Sequence, residues 1–129
     1  MESEAFSIKS ISIDPEVSPL GGPVNISMDF YSPLVLNSAV WKVFYQIDTI
    51  RKRKMFEVLS LDPRDFSAGV NGIIFNLPPI QIGDTQSLTA GVLVLTLSMG
   101  TEELLGINMI VQVTQKDGQI FKTIFSPLE

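Results

Sequence analysis

The side chains that could do chemistry here are nearly all carboxylates: fourteen Asp and Glu against nine Lys and Arg, with no His and no Cys. Paired acids such as Glu102-Glu103, or Asp62 with Asp65, have the residue type for general acid and base work. Carboxylates at turns ordinarily face water, however, and neither imidazole nor thiolate is present to act as a nucleophile, a base at neutral pH or a soft metal ligand. No catalytic, cofactor or metal site is expected. The formal charge of -5 and pI near 4.6 also argue against a surface built to neutralise nucleic-acid phosphates. A protein partner is expected instead, with the oligomeric state left open.

Four cations in a row, Arg51, Lys52, Arg53 and Lys54, interrupt this acidic background between two apolar runs. They form either a solvated loop or a surface that docks an acidic partner, an anionic membrane or an import receptor. Trp41 and Tyr45 share a parity, so on a strand they either build an aromatic platform or fill a core. The core is the favoured reading.

These residues must be positioned by strands. The chain reads as short runs of alternating apolar residues separated by Gly, Pro, Asn and Asp, which predicts an all-β protein, an immunoglobulin-like sandwich of about eight antiparallel strands in one domain. Phe6 and Ile8 have one parity and Ile11 and Ile13 the other, so the first strand must carry a bulge near Lys9-Ser10. A turn from Pro15 to Pro23 precedes an alternating strand over 24–31. Further strands are predicted over 38–48, 54–62, 70–77, 89–99, 104–114 and 119–125. Lys116-Asp117-Gly118 marks a tight hairpin and Gly100-Thr101 another turn. The prolines and Gly-Asp step between Leu77 and Leu88 predict a loop crossing from one sheet to the other.

The longest strongly apolar run, Gly91 to Leu97, is far short of the roughly twenty residues of a membrane-crossing helix. The acidic amino terminus lacks the pattern of a secretory signal, so an intracellular setting is expected: the cytoplasm, including cytoskeletal or ciliary structures, or the nucleus. Within that run Leu93, Leu95, Leu97 and Met99 make one apolar row, while Val92 and Val94 make the opposite face apolar too. The next strand repeats this, with Ile107, Met109, Val111 and Val113 opposed by Ile110. In a two-layer sandwich only one face of a strand meets the core. An apolar face is therefore left for a loop, a terminal segment or a partner, with Val92, Val94, Leu93, Leu95, Met109 and Val111 as candidate partner-binding residues.

Several of these features, in order, resemble the immunoglobulin-like core of the anti-silencing histone chaperones. They are the bulged strand Ile8 to Asp14, Ser18-Pro19-Leu20, the strand Val24 to Phe30, and Trp41-Lys42-Val43-Phe44-Tyr45. The similarity continues through Val58-Leu59, Ala68-Gly69 leading to Phe75, and Gly91 to Leu95. Gly106 to Phe121, with its Lys116-Asp117-Gly118-Gln119 turn, is a second match to the same long strand and hairpin. The resemblance implies a non-enzymatic, chaperone-like module that grips protein through an apolar strand face, an acidic residue and an arginine. The acidic position falls on Phe56, with Glu57 beside it. The arginine position falls on Gly106 in one register and on Thr123, next to Lys122, in the other. An adaptor in a larger assembly is favoured over a chaperone of histone dimers, because both charges are missing. A carrier of lipid or prenyl groups, with Phe6, Phe30, Trp41 and Phe75 lining a cavity, is the remaining alternative.

Overall fold

A computed structural model of the chain describes residues 5–19, 22–48, 53–78 and 90–127. They form ten strands: β1 (Ser7–Asp14), β2 (Val17–Pro19), β3 (Val24–Ser32), β4 (Leu36–Asp48), β5 (Arg53–Ser60), β6 (Arg64–Phe66), β7 (Gly69–Leu77), β8 (Ala90–Met99), β9 (Glu102–Lys116) and β10 (Gln119–Ile124). All pairings are antiparallel. One sheet has the order β1-β3-β7, the other β2-β10-β9-β8-β4-β5, and β6 pairs with the start of β4. These adjacencies are those of an immunoglobulin-like sandwich: β1, β3 and β7 stand as strands A, B and E, and β4, β8 and β9 as C, F and G.

Alternation decides which side chains meet between the sheets. Val24, Ile26, Met28 and Phe30 of β3, Trp41, Val43 and Tyr45 of β4 and Ile73, Phe75 and Leu77 of β7 are buried. The β1–β3 register slips between Ile8 and Ser10, the bulge that the change of parity required. The two added strands are short. β2 lies inside the expected Pro15 to Pro23 turn and pairs with β10, and β6 follows β5 after a three-residue break. Neither is long enough to establish a period of two, so the count of eight misses both.

The β9–β10 hairpin turns at Asp117 and Gly118, with φ of 53° and 78°, the pair of positive values that a type I′ turn demands. Gly100 turns β8 into β9 at φ 65°. Strands β7 and β8 belong to different sheets, so the chain crosses between them, as expected. The expected loop itself, residues 79–89, lies outside the described residues.

Gly91 is a buried position on the inner face of β8 because a side chain there has nowhere to go: a Cβ would stand 2.5 Å from the Tyr45 hydroxyl. That hydroxyl has no hydrogen-bond partner among the described residues, and burial raises its pKa above 10.0. Lys122 is likewise buried, on the inner face of β10, where its Nζ donates to the Gly22 carbonyl at 2.7 Å. Desolvation lowers its pKa below the ordinary 10.5. The unfolded chain therefore holds the Lys122 proton to higher pH than the native one, and stability rises with pH through that window. Above pH 10.0 Tyr45 acts in the opposite sense, because the unfolded chain loses the phenol proton first. Urea midpoints are expected to climb from neutral pH toward 10, and Lys122→Met to flatten that rise; an unchanged slope in the variant would remove Lys122 as its source.

Candidate functional site

Strand β8 runs through the middle of the large sheet, between β4 and β9, and its two faces have different fates. Leu93, Leu95 and Leu97 are fully buried against the small sheet, with Ile107, Met109 and Val111 of β9 beside them. Leu93, Leu95, Met109 and Val111, expected on a partner-binding face, are therefore core residues. The sandwich uses the bulkier, more continuous of the two apolar rows to fill its interior, and each leucine so buried contributes about 1.5–3 kcal/mol. The face left over is the other one, carrying Val92 and Val94.

Pairing registers assemble that outer face from five segments. Gln46 stands opposite Met55 of β5 on one side and opposite Val92 of β8 on the other, and Val92 stands opposite Ile110 of β9. The Phe125 N–H donates to the Ile110 carbonyl at 3.0 Å, continuing the β9 pairing one residue past β10. The row Met55, Gln46, Val92, Ile110, Phe125 thus crosses the sheet with a single polar interruption. A second row sets Glu57, Phe44, Val94 and Asn108 side by side. Met55, Ile110 and Phe125 are 53%, 61% and 46% exposed, and Phe44, Val92 and Val94 are half-buried among them.

Polar groups bound this patch on the side of the β8–β9 hairpin. Lys42 Nζ lies 3.7 Å from Glu57 Oε1, an exposed pair of small energetic worth. Beyond it come Thr96 and Gly106, and the Glu103 carboxylate lies over Gly106, 3.3 Å from where a Cβ would project. Phe56 and Glu57 do not share a surface. A β-bulge at Val43/Phe44 sets their register, placing Glu57 opposite Phe44 on the outer face and Phe56 opposite Tyr45 on the core side of an edge strand, where it is 42% exposed. Of the four cations, Arg53 and Lys54 open β5, and Arg51 and Lys52 lie outside the described residues.

The outer face of the small sheet is the internal comparison. It presents Ser10, Ser12, Asn25, Ser27, Asp29 and Asn76, interrupted by Val70 and Ile74 on β7, and the Ser10 hydroxyl donates to Asp29 Oδ2 at 3.1 Å. The same chain thus builds one mostly polar outer face and one apolar one. Sequence reasoning missed Phe44, Met55 and Phe125 as members of the patch, and named Ile110 only as the residue opposing the Met109 row. The signal for Phe44 was its parity, opposite to Trp41 and Tyr45, whereas Phe125 joins through a pairing that continues beyond its strand.

Aromatic rings fill the interior. Phe30, Trp41, Phe66 and Phe75 meet edge to face, with centroids 5.3 Å apart for Phe30–Trp41, 5.2 Å for Phe30–Phe66 and 5.4 Å for Trp41–Phe75. Three of the four residues proposed to line a lipid cavity fill that space with their own rings, and Phe6 is half-buried at its margin. Asp65, one of the paired acids, accepts the Ser38 N–H at 2.8 Å, where Ser38 takes the left-handed φ of 55° that bends β4 toward β6. Among the described residues no three acids gather as a metal site, and no helix is long and apolar enough to cross a membrane. No protein-family model matches the chain, and no curated protein matches it significantly.

Proposed function

We propose that this domain is a non-enzymatic protein-binding module, an adaptor that docks a partner on the outer face of its large sheet. The observation that carries the reading is the contrast between the two outer faces: Ser, Asn and Asp cover most of one, broken by Val70 and Ile74 on β7, while Phe44, Met55, Val92, Val94, Ile110 and Phe125 form a contiguous patch across the other. An apolar patch with a polar rim of Lys42, Glu57 and Asn108 has the composition of a recognition surface. The resemblance to the anti-silencing histone chaperones implies binding through an apolar face of the same strand, without choosing between its two faces. An adaptor is preferred to a histone chaperone because Glu57 already has Lys42 as its counter-ion and because Gly106, in one register, brings no side chain to the arginine position.

The test is differential capture from native extract with the intact chain as bait. Ile110→Asp places a charge at the centre of the patch and is expected to lose the captured proteins, a cost of about 2 kcal/mol or more, equivalent to at least about 30-fold in affinity. Ser27→Asp on the small sheet is expected to retain them. Identical capture by both variants would overturn the reading, and direct binding of purified histone dimers, lost in Ile110→Asp, would replace the adaptor with the chaperone.

A further inference from the structure

Among the described residues, each sheet edge carries a device against pairing with another chain, except one. β1 has its bulge and Lys9, β5 opens with Arg53 and Lys54, and β2 is three residues long. Such features are how proteins protect free strand edges. β7 pairs with β3 on one side only, and no described strand lies on its other side. Its nine residues, Gly69–Leu77, contain no charge, no proline and no register shift. The two exposed apolar side chains that break the polar outer face of the small sheet, Val70 and Ile74, both sit on this strand, each 60% exposed.

We propose that the free edge of β7 pairs with the β7 edge of a second copy of this chain, joining the two small sheets into one six-stranded sheet. The strand is complementary to itself. Gly72 leaves a notch in the outer face, lined also by Ser27, Arg64 and Ile74, and the Asp29 carboxylate reaches over one side of it, its Oδ1 3.2 Å from where a Cβ would stand. Two residues along, on the same face, Ile74 is a knob. An antiparallel two-fold pairing centred on Ile73 sets Ile74 of each copy beside Gly72 of the other, so that knob and notch meet twice. The same register sets Val70 beside Asn76 and Gly69 beside Leu77, so all nine residues find partners.

Identical faces stay on the same side under this operation, which is what a closed, isologous dimer requires. The absence of charge on the strand lets two copies of an acidic chain approach there without like charges in register. Arg64, which lines the notch, is drawn over the Phe66 ring, 5.2 Å from its centroid.

Sedimentation of the intact chain over micromolar concentrations is expected to show a shift from 14.2 kDa to twice that mass. Ile74→Lys is expected to remain at 14.2 kDa throughout, while Ile110→Asp, on the other sheet, dimerises as the parent does. Because the chain has no cysteine, the register can be tested directly. A Val70→Cys/Asn76→Cys double variant is expected to oxidise to a disulfide-linked dimer, since antiparallel neighbours lie within bridging distance. Either single variant should not, because its cysteine lies six residues from its own copy. A parent that stays monomeric, or single variants that cross-link as well as the double, would overturn the proposal. So would open-ended aggregates in place of a dimer.

Discussion

Replacing Trp41 by alanine is expected to cost about 3–5 kcal/mol, a large share of the 5–15 kcal/mol by which domains of this kind are stable. Trp41 is 1% exposed and joins the sheets: Phe30 of β3 and Phe75 of β7 both meet its ring edge to face, at 5.3 and 5.4 Å, from the opposite layer. Its backbone carbonyl also accepts the Leu61 N–H at 2.9 Å, fixing the chain after β5, but the side chain carries the larger consequence. Truncation leaves a void beside the Phe30 and Phe75 rings, whose backbones are held by sheet pairing and cannot collapse to fill it. Trp41→Phe is expected to cost far less, because the indole Nε1 has no hydrogen-bond partner among the described residues and only volume is lost. Urea unfolding followed by far-UV circular dichroism checks both, since Trp41 is the only tryptophan and the variants have no indole to report. A Trp41→Ala midpoint close to the parent's would mean that the aromatic cluster does not hold the layers together.

Much of the fold was legible because period-two alternation is a local property. The parity change between Ile8 and Ile11 encodes the bulge, and Asp117-Gly118 encodes a turn that few other pairs can adopt. What was not legible depends on partners far along the chain. β2 and β6 exist because β10 and β4 offer them an edge, and three residues of sequence hold no trace of that. The site failed for a related reason. Where both faces of a strand are apolar, as in Val92 to Leu97, alternation shows that two rows exist and is silent about which faces in. Only cross-strand neighbours decide, and Trp41 opposite Leu97 and Tyr45 opposite Leu93 place the leucines inside. Phe56 and Glu57, as neighbours on one strand, had to face opposite ways, and the bulge at Val43/Phe44 decides which of them faces outward, a shift that neither strand's own residues announce.

That assignment of faces leads to the sharpest contrast available in this molecule. Leu95→Glu is expected to abolish folding, whereas Val94→Glu, one residue away, is expected to leave a folded domain. Leu95 is fully buried between Val43 and Ile107, and these cross-strand neighbours are hydrocarbon, offering a carboxylate neither a counter-ion nor a donor. Even held protonated, it leaves polar atoms unpaired in a closely packed interior, a cost of the same order as the whole stability. Val94 faces outward between Phe44 and Asn108, so a glutamate can extend into water and forfeits only cross-strand packing, about 0.2–1 kcal/mol. The alternation should repeat on β9, with Met109→Glu behaving as Leu95→Glu does and Ile110→Glu as Val94→Glu. Thermal melts of the four variants are the measurement. Only the two folded ones can then report on partner capture, and both are expected to lose it. A folded Leu95→Glu protein would mean that the interior is not where this row of leucines lies, and would reverse the assignment of the two faces on which the docking surface depends.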